Sequence, residues 1–366
     1  MTPGADVVVI GAGIVGACCA NLLRREGLRV VVVEAGVIAG GATGAGMGHI
    51  VVMDDNPAEY ALTLYSQRLW AELLPMLPSQ VEFDPCGTLW VAADEEEMSG
   101  VVAKFASYTM RGVRAEILDA QSLREAEPAL REGLAGGLFV RDDSVIYAPC
   151  AAAWFLQGVQ LRRGRVVAVT DGGVRLEDGS SLSCDLVVCA GGASSSELFP
   201  QLDVRPRKGH LAITDRYPGY VRHQLVELGY LKSAHGHSTE SVAFNVQPRK
   251  TGQLLIGSSR QYGVTSSAVD RPLLDRMLRR ALEYIPGLAQ LSVIRTWTGF
   301  RPSTPDNMPA IGLCPGRENV WFATGHEGLG ITTSLGTAHL LVDLVAHRTP
   351  AIEARPFAPE RLWRDG

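Results

Sequence analysis

The chain contains no C-x-x-C pair anywhere in its 366 residues. Its seven cysteines, Cys18, Cys19, Cys86, Cys150, Cys184, Cys189 and Cys314, are odd in number and scattered. Neither a disulfide framework nor a zinc-type ligand spacing is present, so buried thiols in a reducing compartment and no metal site are expected. Basic stripes are missing as well, and the formal charge is −5, which argues against a nucleic-acid surface. The N-terminus has no basic stretch leading to a cleavage site, so no signal peptide is expected. The apolar run from Val7 to Ala20 is too short and too broken by glycine to cross a bilayer. A cytoplasmic protein without an integral membrane segment is the expectation.

Glycine, by contrast, is abundant. The 40 glycines exceed the roughly 26 that average usage of about 7% would give, and such an excess calls for backbone reasons. The clearest lies in "VVVIGAGIVGACCANLLRREGLRVVVVEAG", residues 7 to 36. Asp6 to Ile10 is a continuous β-branched run, the pattern of a strand buried on both faces. Ile14 to Arg25 reads as a helix stopped at Gly27, and Arg29 to Val33 as a second buried strand ending at Glu34. This βαβ unit is the setting a dinucleotide fingerprint requires. Gly11 would make the tight turn, and Gly13 would leave room for a pyrophosphate. Gly16 would let helix and strand approach, so that the helix N-terminus points its N–H groups at phosphate. Glu34 stands where a ribose hydroxyl pair would donate to it, and an acid there favours a free 2′-hydroxyl.

The fingerprint alone does not separate NAD from FAD. The segment after it does: "GGATGAGMGHI", residues 40 to 50, is a second loop of small residues, suited to backbone passing close beside a pyrophosphate and on to a flavin ring. Thr43 is placed to offer a hydroxyl to phosphate. Downstream, "NVWFATGHEGLGITTSLGTAHLLVDLV" (319 to 345) reads as a buried strand, a glycine-spaced turn and a long helix beginning near Ile331 and Thr332. Its positive end would face the negative edge of a reduced flavin. "SCDLVVCAGGASSSEL" (183 to 198) could bring the chain back to the cofactor at Ala190 and Gly191.

With these motifs, together with "RPRKGH" and "TGFRPSTPDNMPAIG", the chain resembles the D-amino acid oxidase family of flavoproteins from Asp6 to about Arg348. Within it, the branch of glycine and sarcosine oxidases, D-hydroxyproline dehydrogenases and hydrogen-cyanide-synthase subunits is the most similar. The resemblance implies an α/β fold of the glutathione-reductase type. A discontinuous FAD-binding Rossmann-like domain would comprise residues 1–80, 145–200 and 300–366, and an α+β substrate domain on a mixed sheet residues 81–144 and 201–299. The cofactor-binding candidates are Gly11, Gly13, Ile14, Val15, Gly16, Glu34, Ala35, Ala42, Thr43, Gly46, Met47, Gly48, Val166, Ala190, Gly191 and Arg301. From the late turn come Glu327, Gly328, Leu329, Gly330, Ile331 and Thr332.

On the substrate side, the resemblance places the carboxylate-binding arginine at Arg301, in a segment read as a loop stiffened by Pro302. A planar guanidinium suits that task, because it grips a carboxylate through two parallel charge-assisted bonds. Relatives often carry a tyrosine where this chain has Asn245. Tyr230 and His235 are the alternative catalytic candidates, with Met47, His49, Asn245 and Arg260 lining the substrate site and Tyr262 near it. Covalent flavin attachment in relatives uses a histidine where this chain has Ala45, or a cysteine where it has Gly299, with Cys314 out of position. FAD is therefore expected to be non-covalent. Glycine oxidases tend to carry an arginine where this chain has Gly328.

The reaction so implied is oxidation of the Cα–N bond of a D-amino or secondary amino acid to the imine, by hydride transfer from the α-carbon to flavin N5. The amine reacts neutral, and desolvation can supply that state without a dedicated base. A D-proline- or D-hydroxyproline-like substrate is the first expectation. A glycine- or sarcosine-type oxidase, or the flavin subunit of a hetero-oligomeric dehydrogenase, is the alternative. Oxygen or another acceptor takes the electrons, and a homo- or hetero-oligomer is possible.

Overall fold

The computed structural model describes residues 4–53, 56–229 and 239–364. Two compact units emerge, each assembled from separate stretches of chain. Met1–Val81, Tyr147–Arg207 and Phe300–Gly366 form the first, and Glu82–Ile146 with Lys208–Gly299 the second.

The first unit is built on strand β1 (Ala5–Ile10), helix α1 (Ile14–Arg25) and strand β2 (Val30–Glu34). Val7, Val8 and Val9 have no exposed surface, as expected of a strand covered on both faces. β1 pairs in parallel with β2 on one side and with the strand Ser181–Cys189 on the other. The strand Gln160–Arg163 extends the sheet beyond β2, and Val320–Thr324 extends it beyond Ser181–Cys189, both in parallel. Ala310–Leu313 closes that side as an antiparallel edge. α1 ends with Glu26 as its C-cap and Gly27 at φ 89°, the left-handed residue that commonly follows a helix. The helix Gly330–Val345 packs against α1 and against the helix Pro57–Leu73. One apolar cluster, including Val8, Val31, Val187, Val320 and Phe322, fills the sheet's interior.

The second unit carries a mixed sheet. From one edge its strands run Val293–Ser303, Arg205–Arg216, Gln253–Gln261, Glu240–Pro248, Gln224–Glu227, Thr88–Ala92, Gly136–Val140 and Ala115–Asp119. The pairings are antiparallel except that of Gln224–Glu227 with Thr88–Ala92 wherever the register is described. Its apolar cluster packs Leu89, Leu225, Phe244, Val246 and Ile256 against Met277, Ala281 and Tyr284 of the helix Arg271–Tyr284. Two strands cross between units, changing over at Arg207/Lys208 and at Gly299/Phe300. Arg207 and Arg301 thus belong to the first unit.

Candidate active site

The first turn is shaped by contacts that leave no space for a side chain. Gly11 has φ 103°, and a Cβ there would stand 2.6 Å from the Ala190 carbonyl oxygen. A Cβ on Gly16 would stand 2.1 Å from the Gly11 carbonyl oxygen. α1 can therefore begin directly above the end of β1. Gly13 is its N-cap and supplies no side-chain cap. The first intrahelical bond runs from the Ala17 N–H to the Gly13 carbonyl, so the N–H groups of Gly13, Val15 and Gly16 precede the helical ladder. Orphan donors of this kind, added to the positive helix end, suit phosphate oxygens.

Two predicted ligands are tied into this turn themselves. Thr43 Oγ1 accepts the Ile14 N–H at 3.0 Å, which leaves the hydroxyl hydrogen as the group it can donate. Glu34 accepts the Ala12 N–H through Oε2 at 2.8 Å and the Gly36 N–H through Oε1 at 2.7 Å. The acid thus orients the turn, and each oxygen retains lone-pair capacity for a ribose hydroxyl. Ala190 and Gly191 follow the strand Ser181–Cys189, with the Ala190 carbonyl against Gly11. The Val166 side chain belongs to the apolar core, so its backbone is what it can offer a ligand. Ala35 is exposed and Ala42 half-buried.

The small-residue segment differs from a plain loop: Ala42–Ala45 forms a single helical turn. Beyond it, Gly48 takes φ 89°, with Met47 and His49 half-buried on either side. A Cβ on Gly46 would stand 3.3 Å from Ile331 Cδ1. Thr332 Oγ1 donates to the His49 carbonyl at 2.9 Å and accepts the Val51 N–H at 3.2 Å. The Thr332 carbonyl accepts from Ser66 Oγ at 2.6 Å and Trp70 Nε1 at 3.1 Å. The late helix is thereby fixed at its first turn. Its N-cap, Leu329, has no side-chain cap, and the first ladder bond runs from the Thr333 N–H to the Leu329 carbonyl. A Cβ on Gly330 would lie 3.8 Å from Val15 Cγ2, so the uncapped starts of both helices adjoin. Two converging helix N-termini and a cleared glycine turn fit an extended, anionic dinucleotide.

Arg301 lies in the last residues of the strand Val293–Ser303 rather than in a loop. The Pro- and Gly-rich composition suggested otherwise, but an edge strand tolerates proline because its outward N–H needs no partner. The turn before the late helix comes up against it. The Glu327 N–H donates to the Pro302 carbonyl at 2.9 Å, and a Cβ on Gly328 would stand 3.7 Å from Arg301 Nε. Glu327 itself takes φ 48°, and its Oε1 lies 3.1 Å from Arg207 Nη1, with side chains 14% and 5% exposed. Expected only as a cofactor ligand, Glu327 is also half of a buried ion pair. Arg207 was not singled out in the sequence. The available signal was a cluster of basic residues at the start of an otherwise apolar strand. His326 was missed too. It is 4% exposed, its Nε2 lies 2.9 Å from Thr337 Oγ1, and burial lowers its pKa to about 3. A neutral imidazole thus links the turn to the third turn of the helix.

The other substrate-side candidates among the described residues belong to the second unit. Asn245 is 4% exposed, and among the described residues its Oδ1 has no hydrogen-bond partner. Its neighbours Phe244 and Val246 point into the apolar core, so strand alternation turns Asn245 to the opposite face. Asn245 is in register with Gly257, and Arg260, also buried, with Ser241. Tyr262 is exposed. Tyr230 and His235 lie outside the described residues. Cys314 is buried in the first unit, and burial raises its thiol to about 11, far from a reactive thiolate.

The chain is similar to known proteins. A glycine oxidase of Pseudomonas putida is 28% identical over 97% of this chain and 98% of its own. The hydrogen cyanide synthase subunit HcnC of Pseudomonas aeruginosa is 28% identical over 98% of this chain and 96% of its own. The crystal structure of the glycine oxidase from Geobacillus kaustophilus superposes with a TM-score of 0.88 at 26% identity, covering 99% of each chain. Residues 6–344 match the family described as DAO, FAD dependent oxidoreductase. The chain belongs to that family of FAD-dependent oxidoreductases.

Proposed function

We propose that this enzyme oxidises the Cα–N bond of a small amino acid to the imine, with Arg301 as the group that grips the substrate carboxylate. One observation carries the reading: Arg301 stands against the turn that leads into the uncapped late helix, whose start adjoins the phosphate-suited turn of α1. Bound non-covalently, FAD supplies the two-electron oxidising equivalent. Gly11, Gly13 and Gly16 leave it space, the first-turn N–H groups of both helices neutralise its charge, and Glu34 receives its ribose. The absence of a nucleophile at Ala45 and Gly299 supports the non-covalent attachment.

The chain's own residues bind and orient. A guanidinium holding a carboxylate through two parallel bonds fixes the plane of the acid and hence the direction of the α-carbon hydrogen. His326 stays neutral at physiological pH, so the turn presents no histidine cation to compete for that carboxylate. Exclusion of water favours the neutral amine, the form able to release electron density as the C–H bond breaks. The substrate loses two electrons and two protons, and oxygen or another acceptor removes the electrons.

Within this class we favour a secondary or D-amino acid of proline-like size. The similarity to glycine oxidases supports glycine or sarcosine as the second reading. The subunit standing of HcnC supports a third, in which this chain is the flavin subunit of an assembly; turnover by the purified chain alone would remove it. The test of the common core is Arg301→Ala. Loss of a buried bidentate pair should raise the amino-acid KM roughly 100-fold or more, while FAD remains bound. An unchanged KM in anaerobic flavin-bleaching titrations would sink the role of Arg301.

A further inference from the structure

The strand that carries Arg301 ends at Ser303, and residues 304–309 turn the chain back into the strand Ala310–Leu313. Internal bonds shape this loop. Thr304 Oγ1 donates to the Met308 carbonyl at 2.9 Å, the Asn307 N–H to the Thr304 carbonyl at 3.2 Å, and the Met308 N–H to Asp306 Oδ1 at 3.1 Å. Those bonds fix its form but not its place. The place is set from far along the chain. Arg361 Nε donates to Asp306 Oδ2 at 2.7 Å, and Arg361 Nη2 to the Met308 and Pro309 carbonyls at 2.5 and 2.8 Å. The fourth bond, from Nη1, goes to the Ala358 carbonyl in Arg361's own segment.

The C-terminal segment has other attachments of its own. Phe357 and Leu362 are buried, the Asp203 N–H donates to the Leu362 carbonyl at 3.0 Å, and Leu202 bridges to Trp363. Three of the four Arg361 bonds are directed at the loop instead. The loop in turn supports the glycine turn before the late helix. A Cβ on Gly325 would stand 2.7 Å from Thr304 Cγ2 and 3.7 Å from Pro309 Cα, so turn and loop are in close contact. The same turn is bonded to the Pro302 carbonyl through the Glu327 N–H, and at Gly328 it comes up against the Arg301 side chain. The strand end that carries Arg301 and the turn beside it thus share one support, and Arg361 holds that support in place.

We propose that Arg361 is a positioning residue for the oxidation, acting through residues 304–309 on the direction of the Arg301 guanidinium. This rests on Arg301 as the carboxylate anchor proposed above. A planar fork that serves one carboxylate and two carbonyls at once cannot be replaced by the point charge of a lysine. Misplacing a substrate-orienting group by about 1 Å can lower the rate on the order of 100-fold, so a remote clamp on the anchor's support has a large lever.

The test reads the second-order rate of anaerobic flavin bleaching at low substrate, with glycine, N-methylglycine and D-proline, for each FAD-loaded enzyme. On the best substrate Arg361→Ala should lower that rate roughly tenfold or more, while the Kd for FAD stays within about twofold of wild type. Arg361→Lys, which keeps the charge but not the fork, should recover only part of the loss. The deciding measurement is the double variant. In an Arg301→Ala background, Arg361→Ala should change the rate by no more than about twofold, because the group it positions is gone. An equal loss in both backgrounds would mark a merely structural contact and overturn the proposal. So would an unchanged rate in Arg361→Ala, or a loss of FAD that tracks the loss of rate. Should Arg361→Ala fail to fold, Asp306→Asn takes its place in the same cycle, with a roughly threefold effect expected and the same outcomes overturning it. Arg301→Ala alone separates the two readings. If it leaves the rate unchanged, the anchor has failed and this role with it. A large effect there with none from Arg361→Ala sinks the positioning role and leaves the anchor standing.

Discussion

The glycine turn after β1 and the glycine turn before the late helix adjoin but are shaped by different physical means. In the first, Gly11 and Gly16 are dictated by backbone: their missing side chains are replaced by carbonyl oxygens at 2.6 and 2.1 Å. In the second, the backbone demand is confined to Gly325, while the geometry is held by side chains. Glu327 is paired with Arg207, His326 is bonded to Thr337, and a Cβ on Gly328 would meet the Arg301 side chain at ordinary contact distance. A turn fixed by backbone packing tolerates little substitution. A turn fixed by side-chain ties can change its exposed positions without losing its shape.

That contrast can be broken at several points. The largest effect is expected from Gly16→Ala. The added methyl cannot fit without moving α1 off β1, so stability should drop by about 3 kcal/mol or more, and FAD should be lost. Gly328→Ala should stay within about 0.5 kcal/mol of wild type. Similar melting temperatures for the two variants would erase the distinction between the turns. Next in size is the ion pair. Glu327→Ala leaves the Arg207 guanidinium buried without its acid and should cost about 3 kcal/mol. Adding Arg207→Met should restore most of that, and chemical denaturation of the double variant checks it; a double variant no more stable than Glu327→Ala would show that the pair does not act as a unit. The smallest effect is the pH response of His326. Its folded pKa, about 3, is depressed below the ordinary value of 6.5. Its contribution to stability is therefore present above about 6.5 and is lost as pH falls toward the folded value. Between pH 6.5 and 5.5 the loss should be about 1 kcal/mol. His326→Asn should flatten that slope in thermal melts, and a slope as steep as wild type would remove His326 as its source.

Much of the first unit was legible because its signals are local. The unbroken valine runs of β1 and β2 can be satisfied only by burial on both faces, and the glycine spacing between them has few other uses. The late helix was legible at its start for a similar reason, since a glycine-spaced turn gives way there to an apolar periodic run. Arg301 was singled out through the family resemblance, and the strand that carries it was not foreseen. Pro302 and the neighbouring glycine suggested a loop, whereas the position at the edge of a sheet removes proline's usual penalty. Ala42–Ala45 was likewise read as irregular, because four small residues carry no periodicity that could announce a helical turn. The Glu34 acid was seen as a ribose acceptor, and its bonds to Ala12 and Gly36 were not, since an oxygen with two lone pairs does not reveal in a sequence how they are divided.

What the amino-acid order alone determined is the dinucleotide-type βαβ unit, the small-residue segment after it and the positive helix end far downstream. Each follows from backbone sterics and hydrophobic periodicity within some thirty residues. Only the tertiary structure decided that Arg207 and Glu327, which are 120 positions apart, would pair in a buried site. It also decided that Thr332 would hold the His49 segment, and that the turn at Gly328 would come up against the Arg301 side chain. Those outcomes depend on which strand edges and helix starts are brought together. The cost of leaving a charge or a carbonyl unpaired in the interior is what makes each arrangement singular.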